Sequence, residues 1–155
     1  MKLSDASLAL LASLEGFSPT LYNDPSGNAT IGYGHMLHKG TVLITDKPTV
    51  ISHEDARVLL AQDVAQKAER FVRTYVIVPL TQNQFDALVI FCYNLGAGVL
   101  KTVVSETGLN FGDYHKVPPK ILEYTKSRNY ITGQLVELPG LAKRRKIEAE
   151  LFARG

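Results

Sequence analysis

The sequence is poor in the residues that define several protein classes. It contains no tryptophan and a single cysteine, and its formal net charge is +2 over 155 residues. A lone cysteine excludes an internal disulfide framework, and it lacks the partner cysteines of a zinc site. A charge this close to zero gives no reason to expect nucleic acid as a partner, so we predict none.

Long apolar runs are also missing. No stretch approaches the ~18 apolar residues that a membrane-spanning helix requires, so we expect no stable membrane insertion. The apolar run LALLASL near the start is followed by Glu15, Gly16 and Phe17, where a secretory signal would carry small residues for cleavage. We therefore predict that residues 5–14 form the first helix of the mature protein and that no export signal is present.

The residues that are present indicate a globular protein. Apolar residues make up 45% of the chain and charged residues 21%, and the mean hydropathy is near zero. This balance is typical of a folded domain, and the length fits one domain. Cys92 lies within a strongly apolar run, which predicts a small buried side chain rather than a reactive thiol.

Turn residues near the start indicate a small sheet. Residues 20–24 and 29–35 have strand character and flank the turn sequence PSGN at 25–28. Asp24 suits the first position of a turn that has proline at the second. We predict a hairpin here, with a further short strand near 41–44.

Two capping sequences predict helices further along. Ser52 with Asp55 opens a helix over 53–73, which would be roughly 30 Å long at ~1.5 Å per residue. Thr81 with Gln84 opens a second helix, apolar on almost every side and therefore buried. For the remaining chain we predict a loop-like segment over 104–120, a short helix near 119–127 and a last helix over 141–153.

These elements predict an α+β fold in a single domain, 1–155. The β-containing lobe would cover about 15–55. The helical lobe would cover about 56–155 together with the N-terminal helix, and the long helix would join the lobes beside a cleft.

Glu15 is the first candidate for chemistry. Most glutamates are solvated surface residues, but this one stands at the carboxyl end of a predicted helix, where the helix dipole disfavours negative charge. Phe17 and the apolar helix face beside it would remove water from the carboxyl group. Both effects favour the protonated form, which is the form that a general acid needs.

Asp24 and Thr30 are ordinary residues when taken singly. Aspartate before proline is common in turns, and threonine is a good strand residue. Together, however, they flank one loop that can hold both near the end of the first helix. A protonated acid, an ionised carboxylate and a hydroxyl that holds water are the groups needed to hydrolyse a glycosidic bond. Carboxyl groups ~6.5–9.5 Å apart would leave room for water and give inversion.

The spacing E-x8-D-x5-T formed by Glu15, Asp24 and Thr30 resembles the catalytic triad of the phage-type lysozymes, the muramidases and endolysins of glycoside hydrolase family 24. The neighbouring EGF, D-x-x-G and TIGYGH sequences are similar to the same family. So are LTQNQFDALVIFCYNLG in the middle of the chain and LPGLAKRRKIEAELF near its end. These blocks cover about half the chain. The match weakens between 103 and 138, where the family usually has a helix ending in tryptophan.

The resemblance implies a lysozyme-like fold and a role for each matching residue. Glu15 would protonate the leaving oxygen, Asp24 would orient the attacking water and stabilise positive charge on the sugar, and Thr30 would hold that water. Arg144 would reach Glu15 across the cleft, favouring its ionised form; the alternative is a solvated charge paired with Glu148. Tyr33 and His35 are candidates for binding substrate or supporting the catalytic groups.

Other patterns are weaker. His35 and His38 lack a third ligand at a suitable spacing, so we predict no metal and no cofactor. The basic run Lys143–Lys146 could recognise an anionic wall polymer, although such a run is more often a solvated helix face.

The resemblance implies an endolysin that cuts the β-1,4 bond between N-acetylmuramic acid and N-acetylglucosamine in bacterial peptidoglycan. Since we predict no export signal, we expect the protein to accumulate in the host bacterial cytoplasm and to reach the periplasm and wall through a holin. We also expect a monomer. The rival from another class is a catalytically silent peptidoglycan-binding module. A chitinase or a transglycosylase on a related scaffold is a second enzymatic alternative.

Overall fold

The computed structural model describes residues 1–129 and 131–155, which divide into two compact units. We call residues 5–66 the sheet unit, and residues 1–4 together with 67–155 the helical unit. The prediction of one domain with a β-containing lobe and a helical lobe stays a prediction.

The sheet unit contains two helices and a three-stranded antiparallel sheet. In chain order its elements are α1 (Asp5–Glu15), β1 (Ser18–Asn23), β2 (Ala29–Gly32), β3 (His35–His38) and α2 (His53–Val64), and the strand order is β1-β2-β3.

The third strand lies earlier in the chain than predicted. We expected it near 41–44, but β3 follows β2 directly and pairs with it antiparallel. Gly34 has a φ of +78°, a conformation that glycine adopts without steric cost, so the chain reverses immediately after β2. Residues 41–44 form an irregular loop instead.

The core of the sheet unit joins β2 to α2. Ile31 on β2 packs with Ile51 and Ala56, and all three are buried. At Gly32, which has a φ of +68°, a Cβ atom would lie 3.0 Å from the Cβ of Ala56. Gly32 therefore permits both a bend and close strand–helix packing.

The long predicted helix begins where expected but is not one uniform helix. The Ser52 side chain accepts a hydrogen bond from the backbone N–H of Asp55 and caps α2. A π-helical turn over Ala65–Glu69 follows, and then α3 (Arg70–Tyr75). The division between the two units falls within this π-helical turn.

The helical unit is built on a nearly all-buried helix, as its composition predicted. Besides α3, it contains α4 (Gln82–Leu95), α5 (Ala97–Thr107), α6 (Val117–Ile121), β4 (Lys126–Arg128), β5 (Leu135–Glu137) and α7 (Pro139–Ala153). The capping box of Thr81 and Gln84 is formed. Every residue from Phe85 to Cys92 is buried, and burial raises the pKa of the Cys92 thiol to about 11.

The segment before α7 differs most from the prediction. Residues 104–120 are largely helical, because α5 continues to Thr107, short 3-10 helices span Leu109–Phe111 and Tyr114–Lys116, and α6 begins at Val117. The helix expected near 119–127 ends at Ile121, and Lys126–Arg128 pairs with Leu135–Glu137 as a hairpin. The first turn of a helix tolerates proline, because the backbone N–H groups there have no helical partner. Two residues of α6, Val117 and Ile121, are fully buried.

Within the described residues, no helix combines the length and apolar character needed to cross a bilayer.

Candidate active site

Glu15 is the last residue of α1, as predicted. The last turn of α1 carries no basic residue that would offset the negative end of the helix dipole. The residue is partly exposed, but its Oε1 atom is buried. Gly16, with a φ of +73°, redirects the chain immediately after the carboxylate. Glu15 thus stands at a helix end with one carboxyl oxygen removed from water.

Asp24 is held by the backbone of the turn after β1. Its Oδ1 accepts hydrogen bonds from the backbone N–H groups of Ser26 and Asn28, both at 2.9 Å. The backbone carbonyl of Asp24 accepts from the N–H of Gly27 at 2.8 Å, and its own N–H donates to the carbonyl of Asn28 at 2.9 Å. The turn therefore fixes the carboxylate orientation, while the residue remains partly exposed.

Thr30 lies on β2, opposite Tyr22 of β1. It is 3% exposed, and its hydroxyl donates to the carbonyl of Asn28 at 2.9 Å. Because this bond uses the hydroxyl hydrogen, the oxygen lone pairs remain able to accept a hydrogen bond, for example from water.

Asn28 is the residue that sequence reasoning missed. It donates to Asp24, accepts from Thr30, and accepts from the backbone N–H of Gly40 through its side-chain oxygen at 3.1 Å. Its side-chain nitrogen lies 3.5 Å from the second carboxylate oxygen of Asp24. An asparagine in a turn indicates only local bonding, so the sequence carried no sign that one residue would bond to both candidates.

Tyr33 joins the β2–β3 turn to α2. Its hydroxyl lies 3.1 Å from Nδ1 of His53. The His53 ring stacks on Phe17, with the ring centroids 3.7 Å apart. Phe17 and Tyr33 also pack against the core of the sheet unit. The cluster joins Phe17, two positions after Glu15, to Tyr33 and to His53 at the start of α2. A contact of Tyr33 with substrate stays a prediction.

His35 is bonded to the second-last residue of α2. Its Nδ1 lies 2.9 Å from Oδ2 of Asp63, whose side chain is 10% exposed. The bond fixes the start of β3 to the helix. A substrate-binding role for His35 stays a prediction, as does the separation of the Glu15 and Asp24 carboxyl groups.

The basic run on α7 divides into two pairs. Lys143 and Lys146 are exposed, but Arg144 and Arg145 are buried. The expected solvated helix face is therefore wrong for the two arginines, because Glu148, itself fully buried, attracts both. Arg144 places Nε 3.3 Å from Oε1 of Glu148, so the alternative pairing is formed, although the charge is not solvated. Contact between Arg144 and Glu15 stays a prediction.

Arg145 forms the closest bonds of this run. Its Nε lies 2.6 Å from one carboxylate oxygen of Glu148 and its terminal nitrogen 2.8 Å from the other. The same terminal nitrogen donates to the side chain of Asn94 at 2.7 Å. Burial lowers the pKa of Arg145 and raises that of Glu148, and their mutual attraction opposes both shifts.

Within residues 1–129 and 131–155, no three His, Cys, Asp or Glu side chains are grouped in a way that could hold a metal ion.

The family model described as phage lysozyme matches residues 12–148 of the chain. The chain belongs to the phage lysozyme family. Its α+β fold is lysozyme-like, since the muramidase domain of SpmX from Asticaccaulis excentricus superimposes with a TM-score of 0.82. That domain is 33% identical, and the alignment covers 97% of each chain.

Two curated relatives carry endolysin names. The endolysin of Acyrthosiphon pisum secondary endosymbiont phage 1 is 35% identical over 152 residues, which cover 98% of both chains. The SAR-endolysin of Pseudomonas phage phiKMV is 34% identical over 143 residues, covering 92% of this chain and 83% of that protein.

Proposed function

We propose that this phage lysozyme family member is an endolysin that hydrolyses the β-1,4 bond between N-acetylmuramic acid and N-acetylglucosamine of bacterial peptidoglycan with inversion. It is a lysozyme-type glycoside hydrolase by family and by its endolysin and muramidase relatives. The observation that carries the residue assignment is the turn after β1, where Asn28 bonds to both Asp24 and Thr30. Glu15 ends the helix that precedes this hairpin in the same unit.

In the proposed reaction, Glu15 acts as the general acid. Its carboxyl group gives a proton to the glycosidic oxygen as the bond from the anomeric carbon to that oxygen breaks. Its Oε1 atom is buried, and the last turn of α1 carries no basic residue. The leaving sugar departs with a free hydroxyl group.

Asp24 and Thr30 act on the water. The ionised carboxylate of Asp24, oriented by two backbone N–H groups, accepts a proton from the water as the water oxygen bonds to the anomeric carbon. Its charge also stabilises the positive charge that develops on the sugar ring. The Thr30 hydroxyl donates its hydrogen bond to the backbone carbonyl of Asn28. Its lone pairs therefore accept a hydrogen bond from the same water.

The central experiment compares wild type with Glu15→Gln in a turbidity assay on outer-membrane-stripped Gram-negative cells. We expect clearing to slow by about 10²–10⁴-fold, the usual contribution of a general acid. The free energy of unfolding should stay the same or rise slightly, since an acid placed for chemistry is often unfavourable for stability. Glu54→Gln, an exposed position on α2, is the matched control and should clear cells normally.

Two other outcomes would contradict the proposal. Wild-type protein that binds isolated sacculi without clearing them would identify a silent binding module. Anhydro sugars among the products, detected by mass spectrometry, would identify a transglycosylase, whereas a hydrolase leaves reducing ends. Inversion itself is tested by NMR of the first anomer released, which should be the α form.

We also infer a monomer that is made in the host cytoplasm and released to the wall by a holin. The burial of Leu11 on α1 supports a helix that belongs to the folded sheet unit. The SAR-endolysin name of one relative points to a competing route. Expression without a holin should leave cells intact even after membrane depolarisation, and lysis under those conditions would overturn the holin requirement. Sedimentation equilibrium should give the mass of one chain.

A further inference from the structure

The loop after β3 ends in a tight turn that presents aliphatic side chains to solvent. The backbone N–H of Asp46 donates to the carbonyl of Leu43 at 3.1 Å, so residues 43–46 form a β-turn with Ile44 and Thr45 at its centre. Ile44 is 100% exposed and Leu43 is 56% exposed. Central turn positions usually carry proline or small polar residues, so the turn does not account for an isoleucine there.

The side chains of Asn23, His38 and Asp46 hold this loop by hydrogen bonds. Oδ2 of Asp46 accepts from the N–H of Leu43 at 2.7 Å and lies 2.9 Å from Nε2 of His38. The other ring nitrogen of His38 lies 2.9 Å from the carbonyl of Lys39. The side chain of Asn23 accepts from the N–H of Val42 at 2.7 Å. The exposed aliphatic pair is therefore mounted on a fixed loop, and little conformational entropy is lost when it contacts a partner.

Apart from Asp46, the charged residues of the loop 39–47 are lysines. Lys39 and Lys47 stand on either side of the turn, both exposed, and within the described residues neither forms an ion pair. Asp46 is the only acidic residue between His35 and Ser52, and its carboxylate is occupied inside the loop by His38 and Leu43. Within residues 39–47 the exposed side chains therefore include both aliphatic groups and lysines.

We propose that residues 39–47 form a peripheral contact with an anionic lipid bilayer. Leu43 and Ile44 enter the interface between headgroups and acyl chains, and Lys39 and Lys47 bind the anionic headgroups. Aliphatic side chains flanked by lysines are the pattern that binds such surfaces reversibly. A second copy of the chain fits less well, because two identical loops would bring like charges together.

This contact goes beyond wall hydrolysis and does not depend on it. The loop is bonded through Gly40 to Asn28 and through Val42 to Asn23, so it lies beside the turn that carries Asp24. A protein resting on the membrane by this loop would have its candidate active site in the unit that contacts the bilayer.

The absence of tryptophan from the sequence provides a clean probe. Ile44→Trp would give the protein a single tryptophan at the tip of the loop, and Ile77→Trp, at a position that is 78% exposed, is the matched control. With vesicles of phosphatidylcholine and phosphatidylglycerol, we expect a blue shift of emission for Ile44→Trp and none for the control. Vesicles of phosphatidylcholine alone should produce a much smaller shift.

Vesicle co-sedimentation then tests the two parts of the contact. Replacing Leu43 and Ile44 together by serine should lower partitioning onto anionic vesicles roughly tenfold. Lys39→Gln and Lys47→Gln should each lower it about fivefold. All variants should keep the wild-type thermal midpoint, because the changed side chains are exposed.

Three results would overturn the proposal. The first is no blue shift of Ile44→Trp on anionic vesicles, and the second is an equal shift of Ile77→Trp. The third is a shift that appears without lipid and grows with protein concentration, which would assign the loop to contact between copies. Activity on isolated sacculi, which contain no bilayer, is measured in parallel, so that loss of hydrolysis and loss of lipid binding are distinguished.

Discussion

Two polar networks of this protein hold a carboxylate with different donors, neutral backbone N–H groups in one and arginine in the other. The turn network of the sheet unit, formed by Asp24, Asn28 and Thr30, holds its carboxylate with neutral backbone N–H groups and leaves it partly exposed. The buried cluster of the helical unit, formed by Arg144, Arg145 and Glu148, holds its carboxylate with two arginines that are also buried.

Under the proposed mechanism, the Asp24 carboxylate acts on the substrate, whereas the Glu148 carboxylate stabilises the fold. Neutral donors orient Asp24 without cancelling its charge, so the charge can still act on a sugar. Arginine cancels the charge of Glu148, and no part of the carboxylate faces water. We therefore expect changes in the turn network to reduce activity more than stability, and changes in the buried cluster to reduce stability first.

The largest effect on stability should come from Arg145→Met. The change leaves Glu148 buried with much less compensating charge, which typically costs about 3–5 kcal/mol of unfolding free energy. Urea denaturation measures the loss, and the buried thiol of Cys92 should react with thiol reagents faster than in wild type. Lys143→Met, an exposed position on the same helix, should change the midpoint little.

A second substitution shows whether charge is the cause. Adding Glu148→Gln to Arg145→Met removes the buried negative charge and leaves an amide oxygen for Arg144, so the double variant should recover part of the lost stability. If the two losses simply add, the cluster contributes by shape and not by charge pairing.

A smaller, chemically specific effect is expected for Asn28→Ala. The change removes the side-chain contacts to Gly40 and Asp24 and loosens the turn that orients the carboxylate. We expect kcat to fall about tenfold with KM nearly unchanged, and stability to fall by about 0.5–1.5 kcal/mol, the usual value of a lost hydrogen bond.

Ser26→Ala is the control for the turn network. Asp24 uses only the backbone N–H of this residue, so the variant should keep wild-type kcat. An Asn28→Ala enzyme with unchanged kcat would show that the backbone alone orients Asp24.

The smallest effect should be a pH dependence of the loop that bonds to Asn28. The carbonyl of Lys39 and the carboxylate of Asp46 raise the pKa of His38 above its ordinary 6.5. The N–H of Leu43 and the ring of His38 lower the pKa of Asp46 below its ordinary 3.8. The stabilisation from His38 is complete below pH 6.5 and is lost as pH rises through its raised pKa. That from Asp46 is complete above pH 3.8 and is lost as pH falls through its lowered pKa.

Both contributions are therefore complete between pH 3.8 and 6.5. Hydrogen exchange of the Leu43 amide, corrected for its intrinsic rate, should show greatest protection in this window. The amide of Ile51, which donates to Pro19, serves as the reference. His38→Gln should remove the loss of protection above pH 6.5, and an unchanged profile in that variant would assign the titration to another group.

Much of the secondary structure could be predicted from residues that are close in the sequence. The caps at Ser52 and Thr81 and the buried character of α4 depend on residues a few positions apart, so short-range physics decided them. The segment 104–138 was not readable in this way. The helix predicted near 119–127 ends at Ile121 in the structure, and the exposed β4–β5 hairpin has no apolar alternation to indicate its strands.

The sequence by itself determined the local structure around Glu15, Asp24 and Thr30, because a helix end, a turn and a strand start are set by local conformational preferences. Only the tertiary structure decided which polar groups meet, such as Asn28 with Gly40, His35 with Asp63, and Arg145 with Asn94. These partners are 12, 28 and 51 residues apart. Contacts over such separations depend on how the whole unit packs, since a buried or half-buried polar group must find a partner wherever the fold brings one.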